Sequence, residues 1–432
     1  MSASRRQTIG VIFGGRSVEH DVSVVTGHQV MSAFPRERYD VVPLYIDREG
    51  RWFTGEPLRD LKNYQDEVVS LAGVQPVLLS PSAQHHGVII NPVPSGFFAK
   101  SQLRRLDVVF PAIHGSHGED GTLQGLLELA DIPYVGCGVL ASAVANNKQM
   151  TKQVLKQAGL PVIDSVTLSR AEWENDPEAI LSRITSTLTF PMFVKPVSLG
   201  SSIGISLVDD DRLLRASIDV AAHLDRSVLV EPAITGCIEI NCAVMGDDSL
   251  PQPEHHVMPS VLEQPVSWEQ FLTYEEKYLR GSEGMKSAQR VVPAPINKAL
   301  TERIQSIAVA AFRAIEGRGT ARIDFLVQPE RETVYLNEIN TMPGSLAFYL
   351  WQESGLSAAA VVERLVALAR EAHAQKRRST YNYRTSLISL TAARGVKGLK
   401  AAKLSQPDEK RVHSHLGAEV KPPPNAGQKN LP

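Results

Sequence analysis

Short apolar runs that end in glycine-rich loops constrain the fold of this 432-residue chain more than any other feature. The runs Thr8 to Phe13 and Leu106 to Ile113 each lead into such a loop. A helical pattern from Val22 to Phe34 separates the first run from another apolar run, Val41 to Tyr45, as in a βαβ unit. The pattern predicts that residues 1–137 form a small doubly wound α/β domain, with loops gathered at the C-terminal ends of its strands.

The pattern changes after residue 137. A helix from Asn147 to Ala158 is followed by short β-rich runs, which glycine or proline rather than helices separate, and this favours antiparallel pairing. These runs are Phe193 to Pro196, Ile203 to Val208, Val228 to Glu231 and Ile238 to Met245. Residues 138–245 are therefore predicted to form a central α+β domain.

A third region, residues 246–375, again combines helices with strands. Its predicted elements are a helix from Lys298 to Ile315, strands from Ala321 to Val327 and from Val334 to Ile339, and a helix from Ala358 to Ala372. Residues 376–432 form an extension. Beyond about residue 400 the chain has little apolar content, which predicts a disordered tail.

The composition is that of an ordinary globular protein, and it excludes several classes of function. Lys and Arg number 45 against 47 Asp and Glu, so the chain lacks the cationic excess expected when nucleic acid or anionic lipid is the main partner. No stretch of about 18 apolar residues occurs that could span a membrane. The three cysteines follow no disulfide or zinc-binding pattern, which fits a reducing compartment and predicts a cytoplasmic protein.

Two predicted strands carry a group of charged and polar residues. Arg322 and Asp324 alternate on one strand, and Glu338 and Asn340 on the next, so each pair shares a face. If the strands are neighbours, two carboxylates and a carboxamide converge, which suits Mg²⁺. Arg322 beside them could stabilise a transferred phosphoryl group or an oxyanion. An exposed strand face with salt bridges to Arg322 explains these four residues equally well.

A glycine- and serine-rich loop joins two of the central strands. From Lys195 to Gly204 it offers backbone N–H groups that can approach phosphate closely, hydroxyl donors at Ser201 and Ser202, and a lysine at the strand end. It is not a P-loop, because the motif G-x-x-x-x-G-K-[ST] is absent. Its chemistry suits a phosphate lid, whereas the loop alone is more typical of a flexible hairpin turn.

Several isolated side chains are further candidates. Lys148 and Lys277 are candidates for phosphate binding, and Glu231 and Glu239 are spaced to hold the adenine amino group and the ribose hydroxyls of a nucleotide. Taken singly, each of them is readily explained as a solvated surface residue.

The loops after the N-terminal strands add Glu19 and His114. The loop from Gly14 to Asp21 lacks the third glycine of the dinucleotide-binding motif G-x-G-x-x-G. Glu19 instead offers a carboxylate to a cationic ligand such as a free ammonium group. His114 ends the other strand, where a capping or packing role is the simpler interpretation.

Taken in their order along the chain, these motifs resemble those of the D-alanine:D-alanine ligases. The matching segments are Gly14 to Ser23, H-G-S-H-G-E-D-G-T-L-Q-G from His114 to Gly125, F-V-K-P-V-S-L-G-S-S-I-G from Phe193 to Gly204, Glu276 to Tyr278, Ala321 to Asp324, and N-E-I-N-T-M-P-G from Asn337 to Gly344. The resemblance implies a three-domain ATP-grasp fold, in which two α+β domains hold ATP and the N-terminal domain closes over the substrates. It implies that ATP drives the joining of two D-alanine molecules through D-alanyl phosphate, for peptidoglycan precursor synthesis.

The resemblance also implies roles for individual residues and a homodimer formed through the N-terminal domain. The catalytic residues would be Glu19, Ser201, Tyr278, Arg322 and Gly344. Substrate would also contact His114, Tyr349 and Leu350. ATP would be held by Lys148, Lys195, Ser201, Ser202, Glu231, Ala233, Ile234, Glu239, Lys277 and Asn340. Two Mg²⁺ ions, for which Mn²⁺ can substitute, would be bound by Asp324, Glu338 and Asn340.

The sequence departs from the family pattern at two places. Many relatives carry a Ser/Thr-rich stretch after the Pro-Gly pair, whereas this chain has Ser345 to Trp351. Direct counting along this segment puts Tyr349 and Leu350 at the positions of the second substrate. Relatives also often have Asp before the lysine that corresponds to Lys148, and this chain has Asn147.

Two other functions remain open at this point. One is an ATP-grasp ligase that joins a different pair of amino acids in secondary metabolism, and the other is a non-catalytic nucleotide-binding protein. The presence of Arg322 together with the metal-binding set disfavours the second. The pair Lys277-Tyr278 favours an amine acceptor over an ester-forming variant.

Overall fold

The computed structural model describes residues 5–65, 67–91, 93, 100–266, 289–380 and 388. The chain divides into two units, Met1–Arg378 and Ser379–Pro432. Three sequence predictions lie outside the described residues: the roles of Lys277 and Tyr278, and the disordered tail.

A seven-stranded sheet forms the N-terminal part of the first unit. Its strands are β1 Gln7–Gly14, β2 Tyr39–Ile46, β3 Trp52–Thr54, β4 Gln75–Leu79, β5 Gly87–Ile90, β6 Gln102–Arg105 and β7 Val108–Ala112. They lie in the order β6-β5-β4-β3-β2-β1-β7. β1 pairs in parallel with β2 and β7, as the βαβ pattern predicts. β3 to β6 extend the sheet with antiparallel pairs that the sequence analysis missed.

Helices α1 (His20–Ala33) and α2 (Thr122–Leu129) cover opposite faces of this sheet. Successive residues of a strand point to opposite faces. Phe13 accordingly belongs to the hydrophobic core that contains residues of α1, and Ile12 to the core that contains residues of α2. Both faces of the parallel strands are buried, which confirms the predicted doubly wound arrangement.

Helices α3 (Val139–Asn146) and α4 (Lys148–Gln157) lead from the first sheet to the second. Asn147 separates them, and its side chain accepts a hydrogen bond from the N–H of Met150 at 2.9 Å. Asn147 is therefore the N-cap of α4. Asn and Asp fill this position about equally well, which explains why Asn is acceptable where relatives often have Asp.

The second sheet has four antiparallel strands. They are β8 Val166–Ser169, β9 Met192–Pro196, β10 Ser206–Val208 and β11 Ser227–Pro232, in the order β10-β9-β11-β8. Its helices are α5 Arg170–Asn175, α6 Pro177–Thr187 and α7 Asp211–Leu224. The antiparallel prediction is confirmed, but α7 lies between β10 and β11, so the prediction that no helix separates these strands is wrong. Leu214, Ile218 and Ala221 are buried at the spacing of a helix face that the sequence already contained.

The third sheet has five antiparallel strands. They are β12 Ile238–Gly246, β13 Met258–Val266, β14 Gln289–Val291, β15 Gly319–Gln328 and β16 Thr333–Asn340, in the order β14-β13-β12-β15-β16. The other α-helices within the described residues are α8 Lys298–Ala314, α9 Phe348–Glu353 and α10 Ala358–Lys376. Ile323 and Phe325 share a core with Ile304 and Phe312 of α8, so the alternate residues of β15 are left on the opposite face of the sheet.

Short 3₁₀ helices complete the described part of the chain. They lie at Glu56–Arg59, Leu61–Gln65, Val68–Ser70, Pro253–His255, Pro329–Arg331 and Gly344–Ala347. None of the helices in the described ranges has the length and apolar content needed to cross a bilayer.

Candidate active site

One face of the third sheet brings the four charged and polar residues together. In the register of β15 and β16, Asp324 lies opposite Glu338 and Arg322 opposite Asn340. The Arg322 guanidinium donates from Nε to Asp324 Oδ1 and from Nη2 to Oδ2, both at 2.6 Å. Asn340 Nδ2 donates to Asp324 Oδ2 at 2.9 Å. The ion pair between Arg322 and Asp324 is present. Asp324 is only 2% exposed, however, which argues against the interpretation of these residues as an exposed strand face.

The electrostatics of this group favour a bound cation. Burial raises the pKa of Asp324 to about 7, and the Glu338 carboxylate adds to the effect while Arg322 opposes it. Among the described residues, no three His, Cys, Asp or Glu side chains form a metal-binding group. The candidate donors are therefore two carboxylates and the Asn340 carboxamide. Mg²⁺ prefers such a set of oxygen donors. A bound cation would also offset the repulsion between the Glu338 and Asp324 carboxylates, which disfavours the ionised form of Asp324.

A hydrogen bond joins the N-terminal part of the chain to the glycine-rich loop. The Ser201 hydroxyl donates to Oε1 of Glu19, across 182 positions of sequence. Ser201 and Ser202 both have left-handed backbone conformations, with φ of 53° and 59°. These conformations cost energy in residues other than glycine and are frequent in ligand-binding loops. The predicted phosphate loop thus reaches the predicted ammonium-binding carboxylate.

Gly115 makes room for the Glu19 carboxylate. A Cβ at Gly115 would lie 2.5 Å from Glu19 Oε2, whereas a Cβ at Gly200 would lie 3.5 Å from it, which is an ordinary van der Waals distance. Gly115 also has a φ of +72°. A side chain at Gly115 would therefore displace the Glu19 carboxylate and would require a strained backbone conformation.

Three lysines lie near the start of α4 and on β9. Lys148 Nζ donates to the backbone carbonyl of Leu199 at 2.5 Å, and burial lowers the pKa of this lysine. Lys195 and Lys152 contact the two oxygens of the Glu231 carboxylate, at 2.5 Å and 2.8 Å. Lys152 was missed in the sequence, although its i,i+4 spacing from Lys148 places both on one side of a helix.

Glu231 lies beneath these lysines with 1% exposure. Burial alone would raise its pKa, but the two lysines hold the pKa at about 2. The carboxylate is thus ionised and committed to the lysines, and this arrangement gives no support to the prediction that it contacts adenine. Ala233, Ile234 and Glu239 all retain exposed surface, as nucleotide-binding residues require.

His114 links α1 to the segment that follows Gly344. Its Nε2 contacts the Thr26 hydroxyl at 2.8 Å, and the same hydroxyl accepts a hydrogen bond from the Ser345 N–H at 3.4 Å. Burial lowers the pKa of His114 to about 4, so the ring is neutral at pH 7. The contacts agree with the packing interpretation of this histidine and place it close to Gly344.

Glu119 is a buried site residue that sequence reasoning did not single out. Its Oε2 accepts from the N–H of Gly115 at 2.7 Å, and its Oε1 from the N–H of Met342 at 3.0 Å. Burial and the nearby Glu19 carboxylate raise the pKa of Glu119 to about 8. The Met342 contact spans 223 positions of sequence, which no periodicity reveals.

The two residues predicted on the acceptor side differ in position. The Tyr349 hydroxyl donates to Oε1 of Glu263 at 2.5 Å. Leu350 is fully buried in the hydrophobic core, so the contact with substrate that was predicted for it would have to come from its backbone, and that contact stays a prediction. Both residues belong to α9, where successive side chains diverge by about 100° around the axis, so the two side chains face different surroundings.

Comparison with known proteins agrees with this geometry. The family model described as D-ala D-ala ligase N-terminus matches residues 8–137, and the model of the D-ala D-ala ligase C-terminus matches residues 154–367. A D-alanine–D-alanine ligase from Geobacillus thermodenitrificans is 40% identical over 380 residues, which cover 87% of this chain and 98% of the relative. The corresponding protein of Thermosipho africanus is 36% identical over 384 residues, with coverage of 88% and 98%.

Solved structures give the same result. The D-alanine-D-alanine ligase from Coxiella burnetii superposes with a TM-score of 0.71 at 28% identity, covering 90% of this chain and 99% of that one. A D-Ala:D-Ser ligase from Enterococcus faecalis has a TM-score of 0.70 at 31% identity, with coverage of 84% and 100%.

The doubly wound N-terminal part, the two further sheets and the polar face of the third sheet together define an ATP-grasp enzyme of the ligase class. The chain belongs to the D-alanine–D-alanine ligase family, since both family models and near-complete relatives match it. The resemblance seen in the sequence motifs is thereby confirmed.

Proposed function

We propose that the protein uses ATP to join two D-alanine molecules, giving D-alanyl-D-alanine, ADP and phosphate for peptidoglycan precursor synthesis. The observation that carries the proposal is the common position of Arg322, Asp324, Glu338 and Asn340 on one sheet face. Family membership supports the same reaction.

The reaction needs activation because a carboxylate is a poor electrophile without a leaving group. Glu19, fixed by its hydrogen bond from Ser201, binds the ammonium group of the first D-alanine. The carboxylate of this D-alanine attacks the γ-phosphorus of ATP, which gives an acyl phosphate and ADP. The uncharged amine of the second D-alanine then attacks the acyl carbon, and collapse of the tetrahedral intermediate releases phosphate and a proton.

The sheet face stabilises the charges that develop in these steps. Arg322 and the backbone N–H of Gly344 donate hydrogen bonds to the oxyanion of the tetrahedral intermediate. Asp324, Glu338 and Asn340 would hold two Mg²⁺ ions, or Mn²⁺ in their place, and the bound metal would supply positive charge to the oxygens of the transferred phosphoryl group.

Other residues hold ATP. Its phosphates contact Lys148, Lys195, Ser201, Ser202 and Lys277, and its adenosine contacts Ala233, Ile234 and Glu239. Glu231 takes the role of positioning Lys195 for a phosphate, because its carboxylate is already paired with that lysine. The family resemblance assigns Tyr278, which lies outside the described residues, a catalytic role together with Glu19 and Ser201.

The functional domains on this proposal are residues 1–137, 138–245 and 246–375, followed by the extension 376–432. The strand β12 at the end of the second range pairs within the third sheet, so residues Ile238–Gly246 pack with the third range. The protein acts in the cytoplasm, where ATP is available, as a homodimer formed through its N-terminal domain. Light scattering on the purified chain tests the dimer, since a mass of a single 47.2 kDa chain would reject it.

Replacement of Arg322 tests the catalytic role of the sheet face. Arg322→Ala should reduce ATP-dependent phosphate release with D-alanine by at least about 10²–10³-fold, as expected for loss of an oxyanion donor, while nucleotide binding persists. Arg313→Ala is the matched control, because Arg313 pairs with Asp248 at the surface of α8. Turnover of Arg322→Ala at the level of the control would reject the role.

A second candidate function is the joining of D-alanine to D-serine, because a solved relative with 31% identity is a D-Ala:D-Ser ligase. The two functions share the ATP and donor sites and differ only in the acceptor. Competition between D-alanine and D-serine as acceptors distinguishes them: D-alanyl-D-alanine as the main product supports the first function, and D-alanyl-D-serine supports the second.

A further inference from the structure

The polar row on the third sheet continues beyond the candidate metal-binding residues. Asn241 of β12 lies opposite Asp324 of β15 and, on its other side, opposite Glu263 of β13. Arg290 of β14 lies opposite Pro265, which is two residues from Glu263 and therefore shares its face. One face thus carries Arg290, Glu263, Asn241 and Asp324 in succession across four strands.

Glu263 is the buried centre of this extension. Glu263 is only 2% exposed. Its Oε1 accepts hydrogen bonds from Asn241 Nδ2 at 3.0 Å and from the Tyr349 hydroxyl at 2.5 Å. The Arg290 Nη1 lies 3.9 Å from Oε2, which is within ion-pair range but too long for a hydrogen bond. Glu263 therefore fixes Tyr349 and attracts Arg290 without using the donors of that guanidinium.

Arg290 is held in a defined orientation by an aromatic ring. Its guanidinium lies 4.4 Å from the centroid of the Tyr349 ring, at a distance typical of cation–π stacking. Its side chain is 35% exposed. An arginine carries five N–H donors in a fork that matches a carboxylate, so this residue can bind an anion while it stays stacked.

The cluster adjoins the reacting centre. Burial opposes ionisation of Arg322, but Asp324 and, to a lesser extent, Tyr349 and Glu263 raise the pKa of its guanidinium. Tyr349 also lies only five positions after Gly344 in the chain. The segment between them contains a single hydroxyl-bearing residue, Ser345, and therefore lacks the Ser/Thr-rich character that would suit a carboxylate.

We propose that Arg290 binds the carboxylate of the acceptor amino acid, that the Tyr349 ring forms a wall of this subsite, and that Glu263 is a positioning residue for both. The inference rests on the proposed ligase function and deepens it, because it specifies an acceptor that carries a free carboxylate. Glu263 is buried whereas the Arg290 side chain is 35% exposed, so Arg290 is the one of these two charged side chains that an anion can reach.

The test measures acceptor binding separately from turnover. Arg290→Gln should raise the KM for the second D-alanine roughly 10- to 100-fold, as expected for loss of a charge-assisted hydrogen bond, and leave kcat and the KM for the first D-alanine close to the wild-type values. D-Alaninamide, an amine without a carboxylate, should be a poor acceptor for the wild type. The preference for D-alanine over D-alaninamide should fall in Arg290→Gln by the same factor as KM rises.

Two further variants keep the test decisive. Arg290→Lys retains the charge without the fork and should give an intermediate KM, which also covers the case that the glutamine variant does not fold. Glu263→Gln alone should raise the KM for the acceptor. Added to Arg290→Gln it should raise this KM little further, because a positioning residue acts through Arg290. Additive effects of the two substitutions would reject the role of Glu263.

The outcomes separate this inference from the proposed function. Arg212→Gln, on the exposed side of α7, is the control and should behave as the wild type. A wild-type protein that forms no D-alanyl-D-alanine would overturn the proposed function. An active wild type together with unchanged acceptor KM and unchanged D-alaninamide discrimination in both Arg290 variants would overturn only the inference about Arg290.

Discussion

At the scale of single residues, the site depends on buried charges whose partners come from different parts of the chain. The contact between Arg322 and Asp324 could be predicted, because alternate residues of one strand share a face. The contact between Lys152 and Glu231 could not, because it joins a helix to a strand that is distant in sequence. Local periodicity shows which residues share a face but not which elements face each other.

Removal of one partner of Glu231 should destabilise the protein. Among the described residues, Lys152→Ala leaves the Glu231 carboxylate, of 1% exposure, with Lys195 as its charged partner. The loss of stability should therefore exceed that of a surface pair and stay below the cost of about 3–5 kcal/mol for a buried charge without any partner. Lys156→Ala is the control on the same helix, since the Lys156 side chain is 70% exposed and its surface pair contributes about 1 kcal/mol or less. Urea unfolding measures both, and equal midpoints for the two variants would contradict the account.

His114 should make the protein less stable in acid. Its pKa is about 4 in the folded chain and about 6.5 in the unfolded chain, so between these values only the unfolded state takes up the proton. Stability is therefore full above pH 6.5 and is lost as the pH falls toward 4, by about 2–3 kcal/mol at pH 4.5. His114→Gln does not titrate and should lose less stability between pH 7 and pH 4.5 in urea unfolding; an equal loss in both proteins would contradict this.

At the scale of elements, the sequence predicted the strands with continuous apolar runs and missed those that depend on pairing. β1 and β7 are buried along nearly their whole length, whereas β4 has only two buried residues among five and β6 has none. Strands whose side chains are mostly exposed carry little hydrophobic signal. Their strand geometry follows from hydrogen bonds to a neighbour, which local sequence does not specify.

A side chain at Gly115, the first glycine of the loop after β7, should weaken binding of the first D-alanine. Gly115→Ala would bring a Cβ within 2.5 Å of the Glu19 carboxylate and 2.6 Å of the Ser17 hydroxyl, at a φ of +72°, so Glu19 must move. The expected result is a higher KM for the first D-alanine, by roughly 10-fold or more, since a displaced carboxylate loses its charged contact. Steady-state kinetics with the donor and acceptor constants fitted separately measures this.

Gly125→Ala is the matched control for that substitution. Gly125 lies within α2, and a Cβ there would meet no atom within 4 Å. Alanine favours a helix over glycine by about 0.8–1 kcal/mol, so this variant should be active and slightly more stable. Equal donor KM values for the two alanine variants would show that the space around Glu19 is unimportant.

At the scale of the whole molecule, the site forms where the N-terminal part meets the third sheet. The Glu119 carboxylate receives N–H groups from both sides, and Thr26 contacts both His114 and Ser345. The motifs predicted the class of enzyme and most of the charged residues of the site. His114 was named in the sequence, but Glu119 and Thr26 were missed, because they join the two parts through single long-range hydrogen bonds to the backbone and leave no repeating pattern.

The identity of the product tests the central claim most directly. The protein is incubated with ATP, Mg²⁺ and a mixture of D- and L-amino acids, and the dipeptides are identified by mass spectrometry and chiral chromatography. The account predicts D-alanyl-D-alanine as the main product, with one ADP and one phosphate released for each dipeptide. A product built only from L-amino acids, or ATP hydrolysis without any dipeptide, would contradict it.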